Sequence, residues 1–237
     1  MKNKKRSEIL LPGGSKQFEQ LRKIAPEKID KILVMGEASE PLAIKLSEVF
    51  SAQTELIVED YEALLNAKLL LEESDINPKI MEFERTDYAN ETFDLVYAQA
   101  ALTRDSRKKI IREVKRILKP NGLLSVGEIV IVNDNVPRMI SDLLDWAGLV
   151  PLKESEIKKY YSERGFEILT ARKFENALKN YYEKILRLFE QRKELLSEEE
   201  KSYYKKLIHR ISHEANVFMK FGGEKYLAFY SFVAKRN

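Results

Sequence analysis

The side chains best placed for ligand chemistry follow three apolar, strand-like runs. The turn GEASE at 36–40 contains one glycine, the pair Glu59 and Asp60 ends a second run, and Gln99 follows a third. A turn that joins a strand to a helix leaves backbone N–H groups free at the start of the helix, which suits an anion or a cofactor. Nucleotide-binding turns usually carry more glycines, so this spacing alone is a weak signal.

The composition excludes several other kinds of chemistry. The chain has 237 residues, of which 44% are hydrophobic, and 41 Lys and Arg against 38 Asp and Glu give a net charge of +3. Because the two signs are mixed along the chain, we expect no nucleic acid as a partner. The lack of cysteine removes disulfides, thiolate metal sites and cysteine nucleophiles. No signal-peptide or membrane-spanning run is present, so we expect one soluble, cytoplasmic domain and no membrane partner.

His209 and His213 are the only histidines, and their spacing places both on one face of a predicted helix beside Glu214. Histidine pairs with this spacing occur in helical zinc sites, but two ligands do not complete a site. No motif for the missing ligands is visible, so we expect no metal.

Strand-like and helix-like segments alternate along most of the chain. Amphipathic helices between most strands favour an α/β fold, in which a doubly wound, mostly parallel, seven-stranded sheet carries helices on both faces. Ligands bind such sheets beyond the carboxyl ends of the strands, which places 36–40, Glu59, Asp60 and Gln99 on one rim. Strands are predicted at 32–35, 55–58, 79–83, 93–98, 123–132, 166–169 and 226–234.

Two helical segments extend this pattern within the single domain 1–237. Residues 1–28 contain a Pro-Gly-Gly break and a short lead-in helix. Residues 174–220 contain two long amphipathic helices, of which the second is opened by a capping box at Ser197 and Glu200. These helices form an insertion before the last strand, and we expect either a lid over the rim or the interface of a homodimer.

The stretch from Phe93 to Glu128 resembles the second half of a class I, Rossmann-like S-adenosylmethionine-dependent methyltransferase. FDLVYAQAAL is followed by the helix SRKKIIREVKRILKP and by NGLLSVGE. In that family a Phe-Asp pair opens the fourth strand and a Leu-Lys-Pro-Gly-Gly-like turn leads into the fifth. The N-terminal LLPGGSKQFEQL also resembles the lead-in of a small-molecule branch of the family. The resemblance implies S-adenosylmethionine as the cofactor and a small molecule as the methyl acceptor.

The family pattern can be transferred to individual residues. Its first motif, an acidic residue followed by three alternate glycines, falls on Val34, Gly36, Ala38 and Glu40, so the acid and two glycines are missing. A register shifted by one residue places the acid at Leu33 and does not repair the motif.

The second motif, a carboxylate that accepts hydrogen bonds from the ribose hydroxyls, falls on Glu59, with Asp60 as the runner-up. The adenine contact falls within 82–87, and Gln99 is the candidate that faces the acceptor. The implied cofactor-binding residues are Gly36, Glu37, Ala38, Glu40, Glu59, Asp60 and Gln99.

The altered first motif leaves two functions open. A carboxylate at Glu40 would repel the carboxylate of the cofactor but attract its sulfonium, or it would turn to solvent and cap its own helix. We expect methyl transfer to a small acceptor. The alternative is a catalytically inactive protein of the same fold that acts as a binding or assembly subunit.

Overall fold

The computed structural model describes residues 9–192 and 212–237. Its eight strands form one sheet. They are β1 (Lys31–Met35), β2 (Gln53–Val58), β3 (Pro78–Ile80), β4 (Phe93–Gln99), β5 (Leu118–Ile131), β6 (Leu152–Lys153), β7 (Phe166–Phe174) and β8 (Leu227–Arg236). Seven of them follow the order β3-β2-β1-β4-β5-β8-β7, and the two-residue β6 pairs with β5 outside this path. Only β8 runs antiparallel to its neighbours β5 and β7.

Helices cover both faces of the sheet. They are α1 (Lys16–Arg22), α2 (Glu40–Phe50), α3 (Tyr61–Leu70), α4 (Arg107–Ile117), α5 (Arg138–Trp146), α6 (Glu154–Ser162) and α7 (Ala177–Arg192), and 212–220 is also helical (α8). Apolar residues of α1, α2 and α3 share one buried cluster with β1 and β2. Those of α4 and α6 share another cluster with β4 and β5. The predicted doubly wound sheet, with a helical insertion before its last strand, is therefore confirmed.

The largest differences from the predicted strands lie at the edges. β7 continues to Phe174 because it pairs with β8 from Phe166 opposite Arg236 to Phe174 opposite Phe229. β3 ends at Ile80, three residues before the predicted end. Strand length at an edge depends on the partner strand, which local sequence does not specify.

Parts of the predicted helical segments lie outside the described residues. These are residues 1–8, and 193–211, which include Ser197, Glu200 and His209. The described ends of the insertion, α7 and α8, pack with α5 and β8 in a third apolar cluster that includes Leu178, Phe218 and Phe229. The role of the insertion as a lid or a dimer interface stays a prediction.

Candidate active site

The carboxyl ends of β2, β1 and β4 lie side by side, because these three strands are adjacent and parallel. They place the loops that begin at Glu59, Gly36 and Ala100 along one rim of the sheet. Strand β3 extends the rim beyond β2 and brings the loop that contains Phe83 next to Glu59. The predicted site residues therefore meet at one edge of the molecule.

The turn after β1 has the backbone conformation of a ligand-binding loop, although it contains fewer glycines than the family motif. Gly36 has φ of +121°, and a Cβ there would lie 3.0 Å from the Cβ of Ala101. Ala38 adopts a left-handed φ of 55°, a conformation that costs an ordinary residue about 1 to 2 kcal/mol. Glu37 and Ala38 are exposed, whereas Ser39, at the N-cap of α2, is buried. The backbone at this turn thus retains the conformation for which glycine is usually chosen.

Glu40 is buried in the first turn of α2 and is only 4% exposed. The alternative in which Glu40 turns to solvent is therefore wrong. Burial raises the pKa of its carboxyl, and a hydrogen bond from its own backbone N–H opposes the rise. Within residues 9–192 and 212–237, no Lys, Arg or His lies within ion-pair distance of Glu40. Among these described residues, a carboxylate at this position therefore has no counter-charge of the kind that buried charges usually have.

Glu59 lies immediately after β2 and directs its carboxylate at the neighbouring loops. Its Oε1 accepts a hydrogen bond of 2.9 Å from the backbone N–H of Phe83, and its Oε2 forms an ion pair with Nη1 of Arg104. The guanidinium of Arg104 also lies over the Phe83 ring, 5.6 Å from its centroid. The side chain of Arg104 therefore spans the end of β1 and covers one oxygen of the predicted ribose acceptor.

Asp60 has a different structural role from Glu59. Its Oδ1 accepts a hydrogen bond of 2.7 Å from the backbone N–H of Ala63, which makes it the N-cap of α3. The side chain is exposed. Glu59, the first of the two predicted ribose acceptors, contacts the loop that carries Phe83.

Gln99 is 1% exposed and anchors the N-terminal lead-in. Its amide nitrogen donates to the carbonyls of Pro12 and Gly14, at 2.7 and 3.0 Å, and its oxygen accepts from the hydroxyl of Tyr97 at 2.7 Å. These contacts hold the Pro-Gly-Gly segment on the end of β4. The predicted role of Gln99 toward an acceptor stays a prediction.

A buried ionic network lies one strand further along the sheet. Glu128 in β5 accepts hydrogen bonds from Nε of Arg107 at 2.7 Å and from the hydroxyl of Tyr161 at 2.5 Å. Arg107 also donates to the carbonyl of Val150 at 2.5 Å. The network connects α4 and α6 to β5, so its role is structural. The sequence analysis predicted neither this network nor the contact of Arg104 with Glu59. Both join residues that are far apart in the chain, so local sequence patterns do not reveal them.

A cleft of about 810 Å³ opens at the carboxyl end of β5. It is lined by residues after β5, by the start of α6 and by Tyr230. Lys153 in this lining pairs with Asp134 at 3.0 Å, and Lys158 and Lys225 add further positive charge. The volume falls in the range of about 300 to 1,000 Å³ that small-molecule pockets occupy.

The described residues contain no group of three His, Cys, Asp or Glu that could hold a metal ion. His213 packs edge-on against Trp146, with ring centroids 5.2 Å apart, while His209 lies outside the described residues. Among the helices that the structure describes, none is long and apolar enough to cross a membrane.

Comparison with known proteins agrees with this architecture. Residues 42–126 match the model of a methyltransferase domain family. The matched range begins just after Glu40 and so leaves out the altered turn. An uncharacterized protein of Haemophilus influenzae is 28% identical over 167 residues, which are 66% of this chain and 66% of that protein. The family match and the strand order identify the chain as a protein of the class I, Rossmann-like methyltransferase fold.

Solved structures of low sequence identity share the fold. A protein of Galdieria sulphuraria, described as a candidate sarcosine dimethylglycine methyltransferase, has a TM-score of 0.74 at 17% identity, over 92% of this chain and 83% of that chain. Phosphoethanolamine N-methyltransferase 2 of Haemonchus contortus, solved with S-adenosyl-L-methionine, has a TM-score of 0.75 at 16% identity, over 95% of this chain and 53% of that chain. The [4+2]-cyclase SpnF has a TM-score of 0.70 at 16% identity, over 93% of this chain and 79% of that chain.

Proposed function

We propose that the protein transfers a methyl group from S-adenosylmethionine to a small molecule. The observation that carries the proposal is Glu59, whose carboxylate lies at the end of β2 beside Phe83, within the fold of class I methyltransferases. A carboxylate at that position matches the vicinal hydroxyls of a ribose.

The chain supplies a suitable group for each part of the cofactor. Glu59 accepts hydrogen bonds from the ribose, the ring of Phe83 suits the base, and the backbone of 36–39 suits the amino-acid end. When bound, S-adenosylmethionine supplies an electrophilic methyl group on a sulfonium. The rim then has to exclude water and align an acceptor lone pair with that methyl, which is catalysis by positioning.

One contact has to change before the ribose can use both oxygens of Glu59. Arg104 holds Oε2 in an ion pair, and its side chain is 36% exposed. Partly exposed ion pairs contribute about 0 to 1 kcal/mol, so release of Arg104 costs little. The residues therefore fit the cofactor with Arg104 displaced.

The cleft at the end of β5 is the candidate site for the acceptor. It lies at the same edge of the sheet as Glu59, and its lining mixes lysines, carboxylates and the hydroxyl-bearing Tyr230. Relatives in fold act on small molecules: one was solved with phosphomonomethylethanolamine and another with geranyl diphosphate. A small polar acceptor suits such a cleft, with residues 174–220 as its lid or as a homodimer interface.

Titration calorimetry of S-adenosylmethionine and S-adenosylhomocysteine tests this function. We expect both ligands to bind, and Glu59→Ala to weaken binding by about 1 to 3 kcal/mol, the range for loss of hydrogen bonds to a charged group. The matched control is Glu62→Ala, a substitution of an exposed glutamate in the first turn of α3. Absence of heat and of any thermal shift with both ligands at millimolar concentration would contradict the proposal.

The alternative is a binding or assembly subunit without catalysis. It is favoured by the closed Arg104–Glu59 pair and by the residues that replace glycine at Ala38 and Glu40. The same titration separates the two functions, since only the alternative expects neither ligand to bind.

A further inference from the structure

Glu40 is a buried carboxylate on the cofactor rim, and no cation accompanies it in the part of the chain that the structure describes. We propose that Glu40 supplies the counter-charge for the cationic sulfonium, so that the site selects S-adenosylmethionine over its uncharged thioether product. This inference rests on the proposed function and assigns it a specificity-determining residue.

The strand order determines which end of the ligand lies near Glu40. Glu59 follows β2, Phe83 follows β3 on one side of it, and Glu40 follows β1 on the other side. A ribose held by Glu59 with its base toward Phe83 extends its other end toward β1. The sulfonium and the amino-acid group of S-adenosylmethionine therefore lie on the Glu40 side of the ribose.

The charge balance supports the same assignment. S-adenosylmethionine carries a sulfonium and an ammonium against one carboxylate, whereas the thioether product has lost the sulfonium charge. A buried carboxylate without a partner is unfavourable, and a cation that enters the site relieves this cost. The attraction is strong because a site from which water is excluded screens charges weakly.

The turn around Glu40 also has the features of a ligand loop. Ala38, two residues earlier, holds a left-handed φ, and Ser39 and Glu40 are both buried. A structural role for Glu40 would require a partner, yet its only hydrogen bond among the described residues comes from its own backbone N–H. A glutamate that stabilised the helix start alone would be expected to face solvent.

The test compares Glu40→Gln with the wild-type protein, using S-adenosylmethionine and S-adenosylhomocysteine as separate ligands in titration calorimetry. Glutamine keeps the size and removes the charge. We expect Glu40→Gln to weaken binding of S-adenosylmethionine about tenfold or more and to change binding of S-adenosylhomocysteine less than about twofold. Glu48→Gln is the matched control, because Glu48 is exposed near the end of the same helix. Thermal unfolding without ligand verifies that each variant is folded.

Two sets of results would overturn the inference, and they are distinguishable. If the wild-type protein binds both ligands and Glu40→Gln weakens both equally or neither, Glu40 does not select the sulfonium and the proposed function still stands. If the wild-type protein binds neither ligand, the proposed function fails and the inference fails with it. Preferential loss of S-adenosylmethionine binding in Glu40→Gln supports both.

Discussion

Two glutamates are buried near the carboxyl edge of the sheet, and they differ in what surrounds them. Glu128 in β5 receives hydrogen bonds from Arg107 and Tyr161, at 2.7 and 2.5 Å. Glu40 in α2 is 4% exposed and has no cation within ion-pair distance among the described residues. One carboxylate belongs to a completed network, whereas the other has no counter-charge within 9–192 and 212–237.

The difference shows that burial alone does not reveal the task of a carboxylate. Burial raises the pKa of both carboxyls, but Arg107 and Tyr161 oppose the rise at Glu128, while only a backbone N–H does so at Glu40. Glu128 therefore holds α4 and α6 on the sheet. Glu40 is expected to reduce the stability of the ligand-free fold, as residues at functional sites often do.

The same substitution at the two positions should change stability in opposite directions, and the larger effect is expected at Glu128. Glu128→Gln removes the charge that faces Arg107 and leaves that guanidinium buried without its partner. Loss of one member of a buried ion pair typically costs about 3 to 5 kcal/mol in the free energy of unfolding. Urea denaturation measures this value, with the exposed Glu48→Gln as the control. A cost below about 1 kcal/mol would mean that the buried pair contributes little.

Glu40→Gln should instead stabilise the ligand-free protein at pH 8, by about 1 kcal/mol, because glutamine removes the negative charge that burial disfavours. Burial raises the folded-state pKa of Glu40, so the wild-type carboxyl is tolerated while protonated and loses stability as the pH rises through that pKa. The advantage of Glu40→Gln should therefore vanish below the ordinary glutamate pKa, near about pH 4. Urea denaturation at several pH values measures it. Destabilisation at pH 8 would show that the carboxylate has a structural partner.

Much of the fold could be predicted from the sequence because its signals are local. Apolar runs with helices between them predicted a mostly parallel sheet, and the stretch from Phe93 to Glu128 indicated the fold of class I methyltransferases. The exceptions depend on partners. β7 is longer than predicted because β8 pairs with it along its whole length, and the two-residue β6 forms only beside β5.

The candidate site was predicted in position but not in contacts. Glu59 lies at the rim as predicted from its place after a strand, yet its partner Arg104 is 45 residues away in the chain. Asp60, predicted as the runner-up to Glu59, is the N-cap of α3. The solvent-facing alternative for Glu40 was wrong. The burial of a side chain in the first turn of a helix depends on how α2 packs on the sheet, and the local sequence does not specify that packing.

Glu59 gives an intermediate case, a partly exposed carboxylate with a cation, and the smallest expected effect. Arg104→Gln removes the ion pair over Oε2 and should change the free energy of unfolding by less than about 1 kcal/mol, because the pair is partly hydrated.

The freed oxygen of Glu59 then becomes available to the ribose without competition. We expect affinity for S-adenosylmethionine to rise up to about fivefold, which corresponds to about 1 kcal/mol. Calorimetric titration of both proteins measures the change, and Arg112→Gln, on the exposed side of α4, is the control. Weaker binding in Arg104→Gln would place the guanidinium among the groups that contact the cofactor, because a competitor for Glu59 cannot strengthen binding by its presence.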